Sequence, residues 1–331
     1  MIMCRIEEIN VYGYSGIKLV NDQLEAWLIP AWGSNLIRLK LRESDTELLR
    51  NPNSLNEYME QPMLYGIPIL FPPNRIANGT FSYHQSTYQF DVNEPDRNNH
   101  LHGFVFNRPW QLLSAEVNGH RIEVRTVFDS TLHPDVVRQF PHPFTIVMYY
   151  ELEGSKLSMN ATIINHGNTP FPWGLGYHTT FTIPMRPFVY DSGGSTLYIP
   201  VSHHWELTEQ LVPTGRLMAS ALVTALNEGI CPSDYALDDV FLSSVTGDVN
   251  MAILEDGVNG VVLKYTCDSQ FTQWVIYNDD GRQGYVSIEP YTWVTNAPNL
   301  SLPHSLTGLQ VLNPGEKVIL NSSIEVGRRK K

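Results

Sequence analysis

Cysteine is the first scarcity. The 331-residue chain has three, Cys4, Cys231 and Cys267, odd in number, far apart and in no CxxC spacing. That excludes a disulfide framework and the common zinc and redox motifs, and it predicts a reducing compartment. Long apolar runs are also missing: no stretch approaches the roughly 18 residues of a membrane span. The opening "MIMCRIEEIN" has acidic residues where a signal peptide would have its apolar region. A cytoplasmic protein with no membrane partner is expected. Charged residues are only 17% of the chain, and 22 Lys and Arg against 34 Asp and Glu leave a formal net charge of -12. Such a surface repels a phosphate backbone, so nucleic acid is not an expected partner. The single basic run, Arg328-Arg329-Lys330-Lys331, reads as a solvated terminus.

Helical periodicity is scarce as well. Leu217, Ala221, Val223, Leu226 and Ile230 fall roughly on one side of a helix within "TGRLMASALVTALNEGI", and "NPNSLNEYME" predicts a short helical turn. Strand patterns dominate instead. In "RIEVRTVFDS", Ile122, Val124, Thr126 and Phe128 share one face while Glu123 and Arg125 take the other, the alternation of a half-buried strand. "FTIVMYYELEGSKLSMNATIIN" reads as two strands turning at Glu153-Gly154-Ser155, "GTFSYHQSTYQFDV" as a hairpin around His84-Gln85-Ser86, and "KVILNSSIEVG" as a closing strand. The 22 prolines and 23 glycines are spread evenly, with no linker or fixed-period repeat. The expected fold is all-β, a large antiparallel β-sandwich with a few short helices, formed as a single domain over residues 1–331.

Several motifs for specific chemistries fail on spacing. "GLGYHT" has two glycines of a dinucleotide fingerprint but lacks the third and the following helix. There is no P-loop and no GxSxG elbow, and "DSGGST" around Ser192 to Ser195 reads as a turn. His100 and His102 in "HLHGF" stand at i and i+2, so an extended backbone would project both from one face, where a metal ion with a third ligand is one use and loop packing another. His203-His204, being adjacent, face apart.

A different set of polar residues lies in apolar or aromatic surroundings bounded by Gly and Pro. Asn74-Arg75 follows "YGIPILFPP", His178 lies in "PFPWGLGYHTTF", Asp238-Asp239 in "YALDDVF" and Glu289 in "YVSIEPYTW". Charged groups in such places must be paired, solvated at a cleft or shifted in titration. Singly, each has a plain structural explanation: Arg75 paired with an acidic neighbour, His178 a satisfied core histidine, Glu289 a strand cap. Together, with Trp173, Tyr177, Tyr291 and Trp293 offering faces for a sugar ring, they suit the opening of a cyclic hemiacetal. That reaction needs a base for the anomeric hydroxyl and an acid for the ring oxygen, roles open to Glu and His without metal or cofactor.

In order along the chain, "PPNRIANGTF", "YQFDVN", "HLHGF", "PFPWGLGYHTTF", "LDDVF", "QWVIYN" and "VSIEPYTWVTNAPN" resemble the motifs of the aldose 1-epimerase (galactose mutarotase) family, over about residues 65 to 300. The resemblance implies a galactose mutarotase-like supersandwich and interconversion of the α and β anomers of a free aldohexose, with a monosaccharide as partner and no cofactor. It implies Glu289 as general base and His178 as general acid, with Asn74, Arg75, His102, Asp238 and Gln273 binding the sugar. It leaves a homodimer open. Two departures stand out: Tyr177-His178-Thr179-Thr180-Phe181 replaces the family's Asn-His-Thr-Tyr-Phe, and Pro290-Tyr291 replaces a Gln-containing stretch after the glutamate. The resemblance therefore does not carry the identity of the sugar. The competing readings are a hexose-phosphate 1-epimerase, which needs several free cations around the cleft, a carbohydrate-binding protein relying on aromatic stacking, and a glycosidase using Asp238 with Glu289.

Overall fold

Alternation builds the largest sheet. In Phe144–Glu153 and Lys156–Asn165 every second side chain is buried, and the β-branched and aromatic residues between them suit a pleated, half-covered surface. The computed structural model describes residues 4–185, 194–245 and 247–329. Eight antiparallel strands form this sheet in the order Gln111–Asn118, Arg121–Asp129, Phe144–Glu153, Lys156–Asn165, Lys317–Arg328, Val261–Asp268, Val249–Asp256 and Ser195–Tyr198. Ile122, Val124, Thr126 and Phe128 are buried, as the alternation predicts, and the chain turns at Gly154-Ser155 between its two longest early strands.

A second sheet of eight strands packs against the first. Its path runs Pro213–Met218, Val201–Leu207, Asp238–Ser243, Gln273–Tyr277, Tyr285–Tyr291, Gly176–Tyr177 and Ile69–Leu70, and Thr179–Thr182 also pairs with Tyr285–Tyr291. The two layers meet through buried polar contacts: Trp274 Nε1 donates to Asn250 Oδ1 at 2.9 Å, and the Thr179 and Tyr265 hydroxyls lie 3.0 Å apart. One hydrophobic cluster runs from Ile17 to Val326 between them. A five-stranded meander from Arg5 to Glu47 and three two-stranded ribbons complete the described β structure. One ribbon is the hairpin Thr80–Tyr83 with Ser86–Gln89, turning at His84-Gln85.

The described residues contain four short α-helices, Leu55–Glu60, Pro134–Gln139, Ala221–Glu228 and His304–Thr307. The longer helical pattern through Leu217 is only half realised. Pro213–Met218 pairs as an edge strand with Val201–Leu207, and the helix starts after Ser220, whose hydroxyl accepts the Val223 amide at 3.3 Å. Sheet pairing overrides the period of 3.6 before the cap, and Gly229, at φ +104°, ends the helix. Of the "DSGGST" turn, Asp191 to Gly193 lie outside the described residues, as do Lys330 and Lys331 of the basic run; Ser195 begins a strand. Among the described residues no helix is long and apolar enough to cross a membrane.

Candidate active site

The strand Tyr285–Tyr291 is buried along its whole length, between Gln273–Tyr277 on one side and the segments flanking His178 on the other. Its register with those segments pairs Gly176 with Tyr291 and Thr179 with Ile288, so His178 stands opposite Glu289. Opposed side chains share a face. Glu289 Oε1 lies 3.4 Å from His178 Nε2, with the residues only 1% and 4% exposed. Tyr291, two residues on and hence on the same face, donates its hydroxyl to Glu289 Oε2. The Thr180 hydroxyl, 2.9 Å from Ser287 Oγ, continues this polar row beneath the histidine.

His102 arrives from a loop whose shape answers the "HLHGF" pattern. His102 is left-handed, at φ +65°, so the alternation breaks there. His100 packs its ring against Phe90 and Phe104 with Nδ1 2.7 Å from the Asp91 carbonyl, whereas the His102 ring meets that of His178 edge-to-face at 5.3 Å. The two imidazoles do not share a face, which removes the geometry of a metal clip. The next residue must be glycine: Gly103 is at φ +70°, and a Cβ there would lie 2.1 Å from the Phe71 carbonyl oxygen. Asn74, left-handed at φ +59°, accepts the His102 amide on its carbonyl at 3.0 Å. Trp293 Nε1 props the same loop by donating to the Pro73 carbonyl.

A cleft of about 550 Å³ opens above these residues, lined among others by Asn74, Arg75, His102, His178, Asp238 and Glu289. Six of the seven residues predicted for the site therefore meet in one hollow. Gln273 does not join them. Its buried amide accepts from Trp205 Nε1 at 2.8 Å and donates to the Leu306 carbonyl at 2.9 Å, so it ties the sheet to the short helix His304–Thr307 and does not line the cleft. The aromatic faces also need correction. Trp173, Tyr177, Tyr291 and Trp293 are core residues, and the rings that reach the cleft are Phe106 and Tyr277. His204 is bound 2.9 Å from Asp239 and stacked on Phe241, outside the cleft lining.

The cations of the cleft are committed. Arg75 Nε lies 3.0 Å from Glu94 Oε2, Arg97 Nη1 is 3.3 Å from Glu94 Oε1, and Asn99 donates to Glu94 at 2.8 Å. Burial would push Glu94 up, but these hydrogen bonds and the Arg75 charge hold its carboxyl below the usual range. Arg75 Nη2 reaches Asp238 Oδ2 at 3.9 Å; burial raises the Asp238 carboxyl, with Arg75 opposing. Glu94 was missed from the sequence because its role depends on pairing across nineteen residues of irregular chain.

Burial also governs the central pair. It pushes Glu289 well above the ordinary carboxylate range, with the Tyr291 hydrogen bond pulling against it. It lowers His178 to about 4, and with the His178 and Arg75 charges it holds His102 well below its usual value. Burial thus disfavours the charged form of each partner. A carboxylic acid beside a neutral imidazole holds the same number of protons as a carboxylate beside an imidazolium, so the two forms differ only in where one proton sits. The two groups are neighbours across the ladder, close enough to act on two oxygens bonded to one carbon.

The sequence pattern of the family described as Aldose 1-epimerase matches residues 16–325. A galactose mutarotase from Sus scrofa is 26% identical over 205 residues, covering 60% of this chain and 56% of that relative, so the match spans little more than half of the relative's length. The crystal structure of a galactose mutarotase-like protein from Clostridium acetobutylicum superposes with a TM-score of 0.93 at 27% identity, covering 98% of this chain and 99% of that one. A galactose 1-epimerase from Lactobacillus acidophilus shares the fold, with a TM-score of 0.78 at 15% identity over the full length of both chains, 100% each. Cleft, strand order and sequence pattern agree: the chain belongs to the aldose 1-epimerase family.

Proposed function

We propose that this protein interconverts the α and β anomers of a free aldose, with Glu289 as base and His178 as acid. The observation that carries the reading is the cross-strand pair itself, 3.4 Å apart at the foot of a cleft of about 550 Å³. In the carboxylate–imidazolium form, Glu289 removes the proton of the anomeric hydroxyl while His178 protonates the ring oxygen. The bond from C1 to the ring oxygen breaks, C1 becomes an aldehyde, and the pair is left as carboxylic acid and neutral imidazole. Rotation about the bond from C1 to C2 presents the other carbonyl face, and reversal of both transfers closes the ring. His102, Asn74, Arg75 and Asp238 hold hydroxyls and orient the ring.

The other readings fit less well. Arg75 and Arg97 are both occupied by Glu94, and Glu60, Asp238 and Asp279 also line the cleft, so a phosphate dianion would enter an acidic hollow. Glu289 is paired with an imidazole and Asp238 is directed at Arg75, which favours ring opening over a two-carboxylate glycosidase. A binding module built on stacking would need the tryptophans that the core has absorbed. We further propose that the chain works as one domain in the cytoplasm, a setting that suits the buried thiol Cys267; a homodimer is compatible with this reading. The test is anomer exchange in freshly dissolved aldoses, followed by polarimetry or by saturation transfer between anomeric protons. Acceleration of at least one neutral aldose is expected, and unchanged rates across a stereochemically complete aldohexose panel would overturn the proposal.

A further inference from the structure

The two oxygens of Glu289 are divided between partners. Oε1 faces His178, and Oε2 receives the Tyr291 hydroxyl. Tyr291 is itself fully buried, so its hydroxyl does not reach the cleft and is not placed to touch a sugar. Its ring packs against Gly176, where a Cβ would fall 2.2 Å from Tyr291 Cδ1; no larger residue at 176 leaves the ring in place. Packing against Gly176 and the bond to the carboxylate thus hold the ring with its hydroxyl aimed at Glu289.

We infer that Tyr291 is a positioning residue for the reaction: its hydroxyl pins one oxygen of Glu289 so that the other is presented to His178 and the sugar, and it favours the ionised base. This rests on the mutarotase reading above. A carboxylate free to rotate about its last bond would share both oxygens between His178 and any bound water, and would be a base for only part of the time. A hydrogen bond donated to the ionised form also lowers the cost of holding that charge in a buried place. This chain would therefore steady its base with a phenol supplied by the same strand.

The experiment is Tyr291→Phe, which removes one oxygen and keeps the ring against Gly176. With kcat limited by ring opening, it should fall roughly 10- to 100-fold, the range for a hydrogen bond to a charged group, while KM stays within about twofold. The acid limb of the rate profile should move upward by about one to two pH units, because the base loses a contact that favours its ionised form. A readout free of turnover is the carbon-13 titration of Glu289 in glutamate-labelled protein without sugar, assigned by the signal lost in Glu289→Gln. An upward midpoint in Tyr291→Phe supports the inference; an unmoved or lowered one overturns it. Because this midpoint needs no substrate, failure of the unaltered chain to turn over any aldose counts against the mutarotase reading alone. If Tyr291→Phe does not fold, replacing Tyr291 by a difluorotyrosine keeps the ring and strengthens the donor, and the midpoint should then move down. An unmoved midpoint in that protein likewise overturns the inference.

Discussion

Replacing Glu289 by glutamine removes the proposed base with almost no change in shape. The amide oxygen can still accept from Tyr291, and the amide nitrogen faces His178 Nε2 where Oε1 stood 3.4 Å away. A general base contributes about 10²- to 10⁴-fold, so the barrier should rise by roughly 3 to 5 kcal/mol. Stability should move the other way or not at all. Burial raises the Glu289 carboxyl above its unfolded value, so its folded form binds protons more tightly than its unfolded form. That contribution is fully present below the unfolded value near 4.5 and is lost as pH rises through the folded value. Glutamine has no such loss. The variant should therefore gain stability relative to the parent with increasing pH, measured by urea unfolding from pH 5 to pH 8, while anomer exchange collapses at every pH. Retention of the parent rate within a few-fold in a folded variant would refute the role of Glu289. A parallel loss of rate and stability would refute the claim that the carboxyl is held against its own burial.

Other positions offer separate tests. Gly103→Ala forces a left-handed residue against the Phe71 carbonyl and should cost about 1–3 kcal/mol in chemical unfolding, with a lower rate because His102 shifts with the loop. Gln273→Leu removes the acceptor of Trp205 Nε1 and should cost about 1–3 kcal/mol while leaving KM unchanged in the folded fraction; a raised KM would restore Gln273 to the sugar site. Buried His178 and His142, each lowered to about 4, resist protonation in the folded state. Their contribution is present above their unfolded value of 6.5 and is lost as pH falls from there through about 4, so thermal midpoints should decline across that window, and less steeply in His142→Gln.

What the sequence made legible was whatever repeats with a fixed period or depends on near neighbours. The alternation of Ile122 to Phe128, the two-residue turn at His84-Gln85 and the helix capped by Ser54 are local matters, and each stands in the fold. The left-handed step at His102 is not periodic, so strand logic put His100 and His102 on one face where the chain separates them. Tyr291 and Trp293 read equally well as sugar platforms and as core, because an aromatic side chain gives no sign of which face of a sheet will be covered. Gln273 reads from the sequence as a sugar contact, and only the position of Trp205 and the Leu306 carbonyl shows that its amide is already engaged. Glu94 was invisible for the same reason: a partner from an irregular loop carries no pattern.

The pairing of His178 with Glu289 by sheet register separates two kinds of evolutionary freedom. One residue inserted between Glu289 and the paired Ser287 would turn the carboxylate toward the opposite layer, so length changes in that ladder are closed to drift. The rim at Gln61 to Leu64, Asn93, Arg97 and Asp279 belongs to short 3-10 helices, turns and irregular chain, where substitutions and small insertions leave the ladder untouched. On the proposed mutarotase reading, descendants of such a fold can exchange one sugar for another by rewriting the rim, while the floor that carries Glu289 and His178 is inherited intact.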